Sequence, residues 1–302
     1  AARRLTFKDC AERYIAAHEP SWANPKHRQQ WRNTLSSYAY PEIGDLDVTA
    51  VGVGDVMRVI EPLWASKTET ASRLRGRIEA ILAWAIVRGH REGPNPALWR
   101  GHLDALLPPR GRIRPVRHHA ALDWRRVPEF MAALRARPAM SARALEFTIL
   151  TAARSSEVRL ARWGEIDLAD KLWIVPAART KMRREHRVPL ADRTLELLGA
   201  LRDDETPDDA LIFPSAKPDR PFSDAVYRAL YARMGVEGVT THGFRSAFRD
   251  WCGEATNHPR EVAEHALAHK AGDAVELAYR RGDALAKRRK LMADWVAYCG
   301  GG

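Results

Sequence analysis

Apolar residues recur with the period of an α-helix through the first hundred residues of the chain. This spacing predicts three helices, at residues 7–18, 31–38 and 56–63. A longer helix is predicted to begin near Thr68 and to end at Gly89. Its apolar stripe consists of Leu74, Ile78, Ile81, Leu82 and Ala85. Residues 40–44, which include a proline and a glycine, predict a break between the second and third helices.

The second half of the chain mixes the helical period with short apolar runs that are typical of strands. A helix is predicted over residues 145–150, and helices return from Asp224 onward. Two short strands, at residues 171–175 and 186–190, are predicted to form a hairpin around the loop at residues 177–185. The chain is therefore expected to be mainly α with a small β-hairpin or sheet, an α+β class.

A basic, proline-rich segment separates the two halves. Residues 108–117 hold three prolines, one glycine and four arginines but no acidic residue. Because such a composition disfavours a regular helix or a central strand, we expect an exposed, semi-extended linker. The predicted organisation is a helical domain at 1–107, a linker at 108–119 and a second domain at 120–302. Such a linker is well placed to follow a DNA backbone, so we expect a C-shaped clamp around the duplex.

The net charge of +11 favours a polyanionic partner, although a protein can be basic merely to stay in solution. Cys10, Cys252 and Cys299 are widely separated, which fits buried residues in a reducing cytoplasm and argues against a disulfide framework. No run of about 18 apolar residues occurs, so no membrane span is expected. The chain begins with Ala1 and shows no signal-peptide pattern, so we expect a fragment whose N-terminal portion has been removed.

Arginines and lysines gather on the polar faces of the predicted helices. The polar side of the helix from Thr68 carries Arg73, Arg75 and Arg77, followed by the acid Glu79. A charged face is usually only solvated, but two such faces in one helical domain favour a module that binds DNA phosphates. The candidate DNA-binding residues are Lys26, Arg28, Arg32, Arg73, Arg77, Arg112, Arg114 and Arg183.

The segment at residues 150–158 predicts an anion site. Its small residues end one helix, and Ser155 or Ser156 can cap the next. Arg154 would then lie at a helix N-terminus, where backbone N–H groups and the helix dipole already favour an anion. Glu157, one turn on, can hold the guanidinium in place, although a surface salt bridge is the simpler alternative.

Two further segments carry cations and a proton acceptor. Lys181 lies in the predicted hairpin loop, where an ordinary basic loop is the alternative interpretation. In Thr241-His242-Gly243-Phe244-Arg245, which opens a helix, His242 and Arg245 are three residues apart, as in a phosphate-binding pair with a built-in base. The buried face of that helix is predicted to be Phe244, Phe248 and Trp251, so that His242, Arg245 and Arg249 share another face.

The last segment contains two histidines and a tyrosine. His265 and His269 have the i, i+4 spacing of a zinc site, but no glutamate follows His265 as in metalloproteases and no third ligand is evident. We therefore predict no metal. Tyr279 is either a half-buried aromatic residue or a nucleophile.

Taken in order, these segments resemble the active-site motifs of the tyrosine recombinases, the phage-integrase family, and in particular the integrases of prophages and genomic islands. The resemblance rests on T-A-A-R-S-S-E, A-R-T-K, T-H-G-F-R, A-L-A-H and A-Y-R-R-G-D. The spacing also agrees, with 24 residues from Arg245 to His269 and 10 from His269 to Tyr279. It covers the chain from about residue 5 to residue 299, with the first half corresponding to the family's core-binding domain and the second to its catalytic domain.

The resemblance implies a role for each residue. Arg154 and Arg245 would bind the non-bridging oxygens of the scissile phosphate, with His242 and His269 completing the site. Lys181 would protonate the leaving 5′ oxygen, and Tyr279 would attack to give a 3′-phosphotyrosine. Glu157 matches the family's acidic supporting residue.

The resemblance also implies the partners. They are double-stranded attachment sites, further copies of the same chain in a homotetramer on DNA, and accessory DNA-bending or directionality factors. The free protein can be monomeric, and the resemblance implies that it acts in the bacterial cytoplasm, in association with the nucleoid. No cofactor is expected. The alternatives are a DNA-binding regulator with an inactive site, a type IB topoisomerase and, more remotely, a zinc hydrolase.

Overall fold

The computed structural model describes residues 4–22, 25–113, 121–217, 219–269 and 282–301. The chain divides into two compact units, Ala1–Arg117 and His118–Gly302. Each unit encloses its own cluster of buried apolar side chains.

Helices build the described part of the first unit. They are α1 (Phe7–His18), α2 (Pro25–Thr34), α3 (Tyr40–Ile43), α4 (Val53–Trp64), α5 (Thr68–Val87) and α6 (Arg110–Ile113). Short 3₁₀ helices lie at Glu19–Ser21 and Leu103–Ala105. The long helix α5 packs against α1 and α4. Its predicted apolar stripe is confirmed, because each of these residues is fully buried: Leu74, Ile78, Ile81, Leu82 and Ala85.

The predicted break between the second and third helices is confirmed, but it begins later than residue 40, because Tyr40–Ile43 are helical and the non-helical chain starts at Gly44. The chain passes from α2 through a π-helical turn, Leu35–Ala39, directly into α3. Pro41 has no N–H to donate, but it occupies the first turn of α3, where no helical donor is needed. The π turn supplies the adjustment, since the Tyr40 N–H donates to the Leu35 carbonyl five residues back.

The described part of the predicted linker also differs from expectation. Residues 110–113 form the helical turn α6 instead of an extended strand of chain. The two prolines before Arg110 do not prevent this, because proline is tolerated just before and within a first helical turn. Arg110 pairs with Glu69 of α5 at 3.0 Å, and the Trp64 indole donates to the Pro108 carbonyl at 3.0 Å. These contacts hold the segment against the first unit.

The second unit combines helices with a small sheet. Its described α-helices are α7 (Val127–Arg135), α8 (Met140–Leu150), α9 (Ser155–Arg159), α10 (Asp192–Gly199), α11 (Val226–Arg233), α12 (Gly243–Ala255), α13 (Arg260–Ala266) and α14 (Leu285–Cys299). The strands are β1 (Ile166–Asp167), β2 (Leu172–Val175) and β3 (His186–Pro189). The α+β class predicted from the sequence is confirmed.

The sheet is antiparallel, with the strand order β1-β2-β3. The predicted hairpin is confirmed by the register of β2 and β3, in which Leu172 pairs with Pro189 and Val175 pairs with His186. Sequence reasoning missed β1, which is only two residues long.

The predicted inner face of α12 is confirmed. Phe244, Phe248 and Trp251 are at most 4% exposed. Phe248 and Trp251 lie against the Trp295 ring of α14, with ring centroids 5.3 and 5.0 Å away. This packing fixes the rotation of α12 and so determines where its first turn points.

The predicted burial of the cysteines is confirmed, because Cys10, Cys252 and Cys299 are free and buried. Within the described ranges, no helix combines the length and the apolar character needed to cross a membrane.

Candidate active site

Arg154 lies at the N-cap of α9, where the sequence placed it. The predicted serine cap is wrong, however, because Glu157 makes the capping contact. One Glu157 oxygen accepts the backbone N–H of Arg154 at 2.9 Å, and the other accepts its Nη1 at 2.8 Å. Glu157 is only 2% exposed, so the carboxylate of this ion pair is buried and its charge-assisted hydrogen bonds are not those of a surface salt bridge.

Arg245 lies in the first turn of α12 and is 5% exposed. Its guanidinium donates to the carbonyl of Ala152, to the carbonyl of Leu267 at 2.6 Å and to Nε2 of His269 at 3.1 Å. Its buried Nε has no hydrogen-bond partner. Burial packs the aliphatic stem against the core, while the carbonyls fix the direction of the charged end.

The two arginines meet at the turn that follows α13. Nη2 of Arg154 donates to the Ala268 carbonyl at 3.3 Å, and Arg245 donates to the neighbouring Leu267 carbonyl. His269 completes this turn through its contact with Arg245. We call Arg154, Arg245 and His269 the cationic cluster; it draws on three segments that are far apart in the sequence.

The electrostatics of the cluster favour an added anion. Burial, with the nearby charge of Arg154, lowers the pKa of Arg245 from 12.5 to about 10. Burial also lowers the pKa of His269, an effect that the hydrogen bond to Glu264 opposes and the charge of Arg245 reinforces. Since two guanidinium groups are held together, an oxyanion beside them would relieve their repulsion.

Glu264 is a residue that the sequence analysis missed. Its carboxylate accepts Nδ1 of His269 at 2.8 Å through one oxygen and Nε of Arg249 at 2.8 Å through the other. Its side chain is 12% exposed. Burial opposes its ionisation, but the hydrogen bond from His269 and the charge of Arg249 outweigh that effect and lower its pKa. The available signal was its position near the end of α13, five residues before His269.

The remaining catalytic candidates are His242, Lys181 and Tyr279. His242 is the exposed N-cap of α12, and its carbonyl accepts the backbone N–H of Arg245 at 3.1 Å. Lys181 is exposed in the hairpin loop. That loop includes Arg179, whose Nη1 lies 3.4 Å from the Glu157 carbonyl. Tyr279 falls outside the described residues.

The described chain after that stretch is firmly held. Asp283 accepts Nη2 of Arg187 on β3 at 2.8 Å and Nη2 of Arg288 on α14 at 2.6 Å. Arg288 is 1% exposed and also donates to the Asp283 and Arg187 carbonyls. The aspartate of the A-Y-R-R-G-D motif therefore joins the third strand to the last helix.

Among the described residues, His269 directs neither ring nitrogen at a vacant ligand position. Both ring nitrogens of His269 are engaged, one by Glu264 and the other by Arg245. No group of three or more metal-binding side chains occurs among the residues that the structure describes.

The predicted DNA-binding residues of the first unit divide into exposed and buried ones. Lys26 and Arg112 are exposed. Arg32 pairs with Glu19, and Arg73 pairs with Glu69, both at a surface. Arg28 donates to the Trp22 carbonyl. Arg114 lies outside the described residues. Arg183, the candidate in the second unit, is exposed in the hairpin loop.

The expectation that Arg77 lies on the polar face of α5 is wrong. Arg77 is 7% exposed and donates to the Gln30 carbonyl and to the Thr34 hydroxyl. Its guanidinium also lies 5.3 Å from the centre of the Trp31 ring. Because α2 covers it, Arg77 joins two helices and is not available to a phosphate.

Comparisons with known families and proteins agree along nearly the whole chain. The model of the phage integrase central domain matches residues 7–102, and the model of the phage integrase family matches residues 121–284. Prophage integrase IntA of Escherichia coli K12 is 32% identical over 98% of this chain and 70% of its own length. The integrase of Enterobacteria phage P4 is 30% identical over 97% of this chain and 68% of its own length.

Solved structures share the fold at low sequence identity. A lambda integrase dimer bound to a COC′ core site matches 93% of this chain and 78% of its own with a TM-score of 0.69 and 16% identity. The Tn1549 transposon integrase in complex with a circular intermediate DNA matches 95% of this chain and 99% of its own with a TM-score of 0.70 and 12% identity.

Proposed function

The chain belongs to the phage integrase family, and from this membership we propose that it is a site-specific DNA recombinase that integrates and excises a mobile genetic element. The observation that carries the proposal is the convergence of Arg154, Arg245 and His269 on the turn after α13. Three separate motifs meet there to form one cationic cluster.

The cluster suits a phosphodiester transition state. Arg154 and Arg245 would each donate to a non-bridging oxygen, whose negative charge grows as the phosphorus gains a fifth oxygen. Guanidinium groups match such oxygens with two donors at fixed geometry. Because Glu157 and backbone carbonyls already hold both groups, little reorganisation is needed when the substrate binds.

Tyr279 is the proposed nucleophile. Its phenolic oxygen attacks the phosphorus, the 5′ oxygen leaves and a 3′-phosphotyrosine forms. An unperturbed phenol has a pKa of about 10, so a base or positive charge must assist, and His242 at the start of α12 is the proposed proton acceptor. Lys181 would return a proton to the leaving oxygen. The phosphoester bond is exchanged for another of similar energy, so the reaction consumes no nucleotide.

The proposed partners follow from the substrate. They are double-stranded attachment sites, which the two units would bind as core-binding and catalytic domains. A homotetramer would assemble on two such sites, and a lambda integrase tetramer bound to a Holliday junction, similar in fold to this chain at a TM-score of 0.68, supports that assembly. We also expect accessory DNA-bending or directionality factors to take part. The protein itself is expected to lie beside the bacterial nucleoid.

A nicked attachment site that traps the covalent intermediate tests the function directly. The wild-type protein should form an adduct with labelled DNA, and Tyr279→Phe should bind the same DNA without forming it. Tyr298→Phe is the matched control, since the phenol of Tyr298, which lies on α14, donates to the Trp124 carbonyl and should not affect adduct formation.

Other results point to other functions. If the protein binds the DNA that flanks the element tightly but forms no covalent adduct with any of it, a DNA-binding regulator is favoured. Relaxation of plasmids regardless of sequence would favour a type IB topoisomerase. An adduct that persists in Tyr279→Phe would refute the nucleophile.

A further inference from the structure

We propose that Glu264 is a positioning residue that fixes the tautomer and orientation of His269, so that in the free protein the lone pair of Nε2 faces Arg245. The inference concerns the free protein first, and its consequence for cleavage rests on the proposed recombinase function. Neither the motifs nor the comparisons assign a role to this carboxylate.

The hydrogen bonds around His269 permit a single arrangement of protons. Glu264 is an ionised carboxylate, held by Arg249 at 2.8 Å, and can only accept, so Nδ1 of His269 must carry a proton. Arg245 can only donate, so Nε2 must accept and carry none. The imidazole is therefore neutral in the free protein, in agreement with its lowered pKa.

The backbone explains why Glu264 and His269 meet. Helix α13 ends in a Schellman motif, in which the His269 N–H donates to the Glu264 carbonyl at 2.9 Å and the Ala268 N–H donates to the His265 carbonyl at 3.0 Å. Such a motif brings the third-last helical residue beside the second residue after the cap, and the two usually make an apolar contact. Here the same positions hold a carboxylate and an imidazole.

The turn links this pair to the arginines. The Leu267 and Ala268 carbonyls, which lie between Glu264 and His269, accept from Arg245 and Arg154. The imidazole and both guanidinium groups are thus positioned by one turn. Glu264 adds what the backbone cannot supply, which is control over which ring nitrogen carries the proton.

Glu264→Gln tests the assignment because it keeps the shape and removes the charge. The glutamine oxygen can still accept from Arg249, and its amide must then donate to Nδ1 of His269. That donation moves the ring proton to Nε2, where it opposes the donor of Arg245.

The first readout is the nitrogen NMR spectrum of histidine-labelled full-length protein without DNA. His269→Asn identifies the His269 signals among the 11 histidines. We expect a protonated Nδ1 and a bare Nε2 in the wild type, and the reverse in Glu264→Gln. Glu261→Gln, an exposed position on the same helix, is the matched control and should leave the tautomer unchanged. A wild-type His269 with its proton on Nε2 would overturn the proposal.

The second readout is the rate of adduct formation. The Glu264 carboxylate favours the protonated imidazole, whose Nε2 can then donate to a phosphate. Loss of the carboxylate behind a metal-bound histidine typically costs about 10- to 100-fold, and we expect a loss of similar size in Glu264→Gln with DNA affinity unchanged. In the His269→Asn background, Glu264→Gln should cost nothing further, because it acts through the imidazole. Full additivity of the two losses would show that Glu264 acts independently. If the wild type forms no adduct, the proposed function fails, while the NMR result still decides the tautomer.

Discussion

Replacing Ala268 by glycine should stabilise the protein, whereas the same change at Ala152 should have almost no effect. Both alanines follow the end of a helix in the left-handed backbone region, with φ of 48° at Ala268 and 49° at Ala152. That region costs an L-residue about 1–2 kcal/mol, and glycine avoids the cost. Glycine in turn raises the conformational entropy of the unfolded chain, which lowers the free energy of unfolding by about 0.4–1 kcal/mol.

Burial separates the two sites. The methyl group of Ala152 is in the core, since the residue is 2% exposed, and its removal costs a further ~0.8 kcal/mol. Ala268 is only half-buried and loses less. The net expectation is a gain of about 0.5–1 kcal/mol for Ala268→Gly and a change close to zero for Ala152→Gly.

Urea unfolding followed by tryptophan fluorescence would measure both changes in the full chain. Ala229→Gly, at an exposed interior position of α11, is the control of opposite sign and should cost about 1 kcal/mol. Adduct formation by Ala268→Gly should be unchanged, because the carbonyl that Arg154 contacts remains. A destabilisation of Ala268→Gly as large as that of Ala229→Gly would refute the reasoning from backbone strain.

Two further predictions concern acid stability and DNA binding. Burial and then the charge of Arg288 lower the pKa of His186 from 6.5 to about 4, so the unfolded chain binds a proton that the folded chain excludes. The free energy of unfolding should therefore fall by about 3 kcal/mol as the pH drops through that interval, and urea titrations of His186→Gln should show a flatter profile. Arg73→Gln should reduce the slope of log affinity against log salt by about 0.9 if that side chain meets a phosphate, whereas Arg77→Met should reduce stability and leave the slope unchanged. A changed slope in Arg77→Met would contradict its structural role.

The sequence predicted the cationic cluster well because each motif marks a helix end. Arg154 and Arg245 were located from small or polar residues beside apolar runs. These residues mark the end or the start of a helix through local sequence alone. Their mutual contact with the turn after α13 was not readable from spacing, since it depends on how α8, α12 and α13 pack.

The failures share a physical cause. Arg77 was assigned to solvent because a charged residue normally is exposed, but its surroundings are set by α2, which is distant in sequence. Pro41 was taken as a helix end because a π turn cannot be recognised from composition. Glu264 was missed because its contact with His269 depends on the left-handed conformation of Ala268, after the end of α13. An alanine does not signal that conformation in a sequence, whereas a glycine would.

The arginines of the cationic cluster are held largely by main-chain oxygens, those of Ala152, Leu267 and Ala268. A point mutation replaces a side chain but leaves the peptide oxygen behind it. These contacts therefore do not depend on which side chains the three residues carry, and both guanidinium groups keep their acceptors when a side chain is exchanged. Insertions or deletions in the two turns would displace those oxygens, so this part of the pocket should tolerate exchange of amino acids far better than any change in loop length.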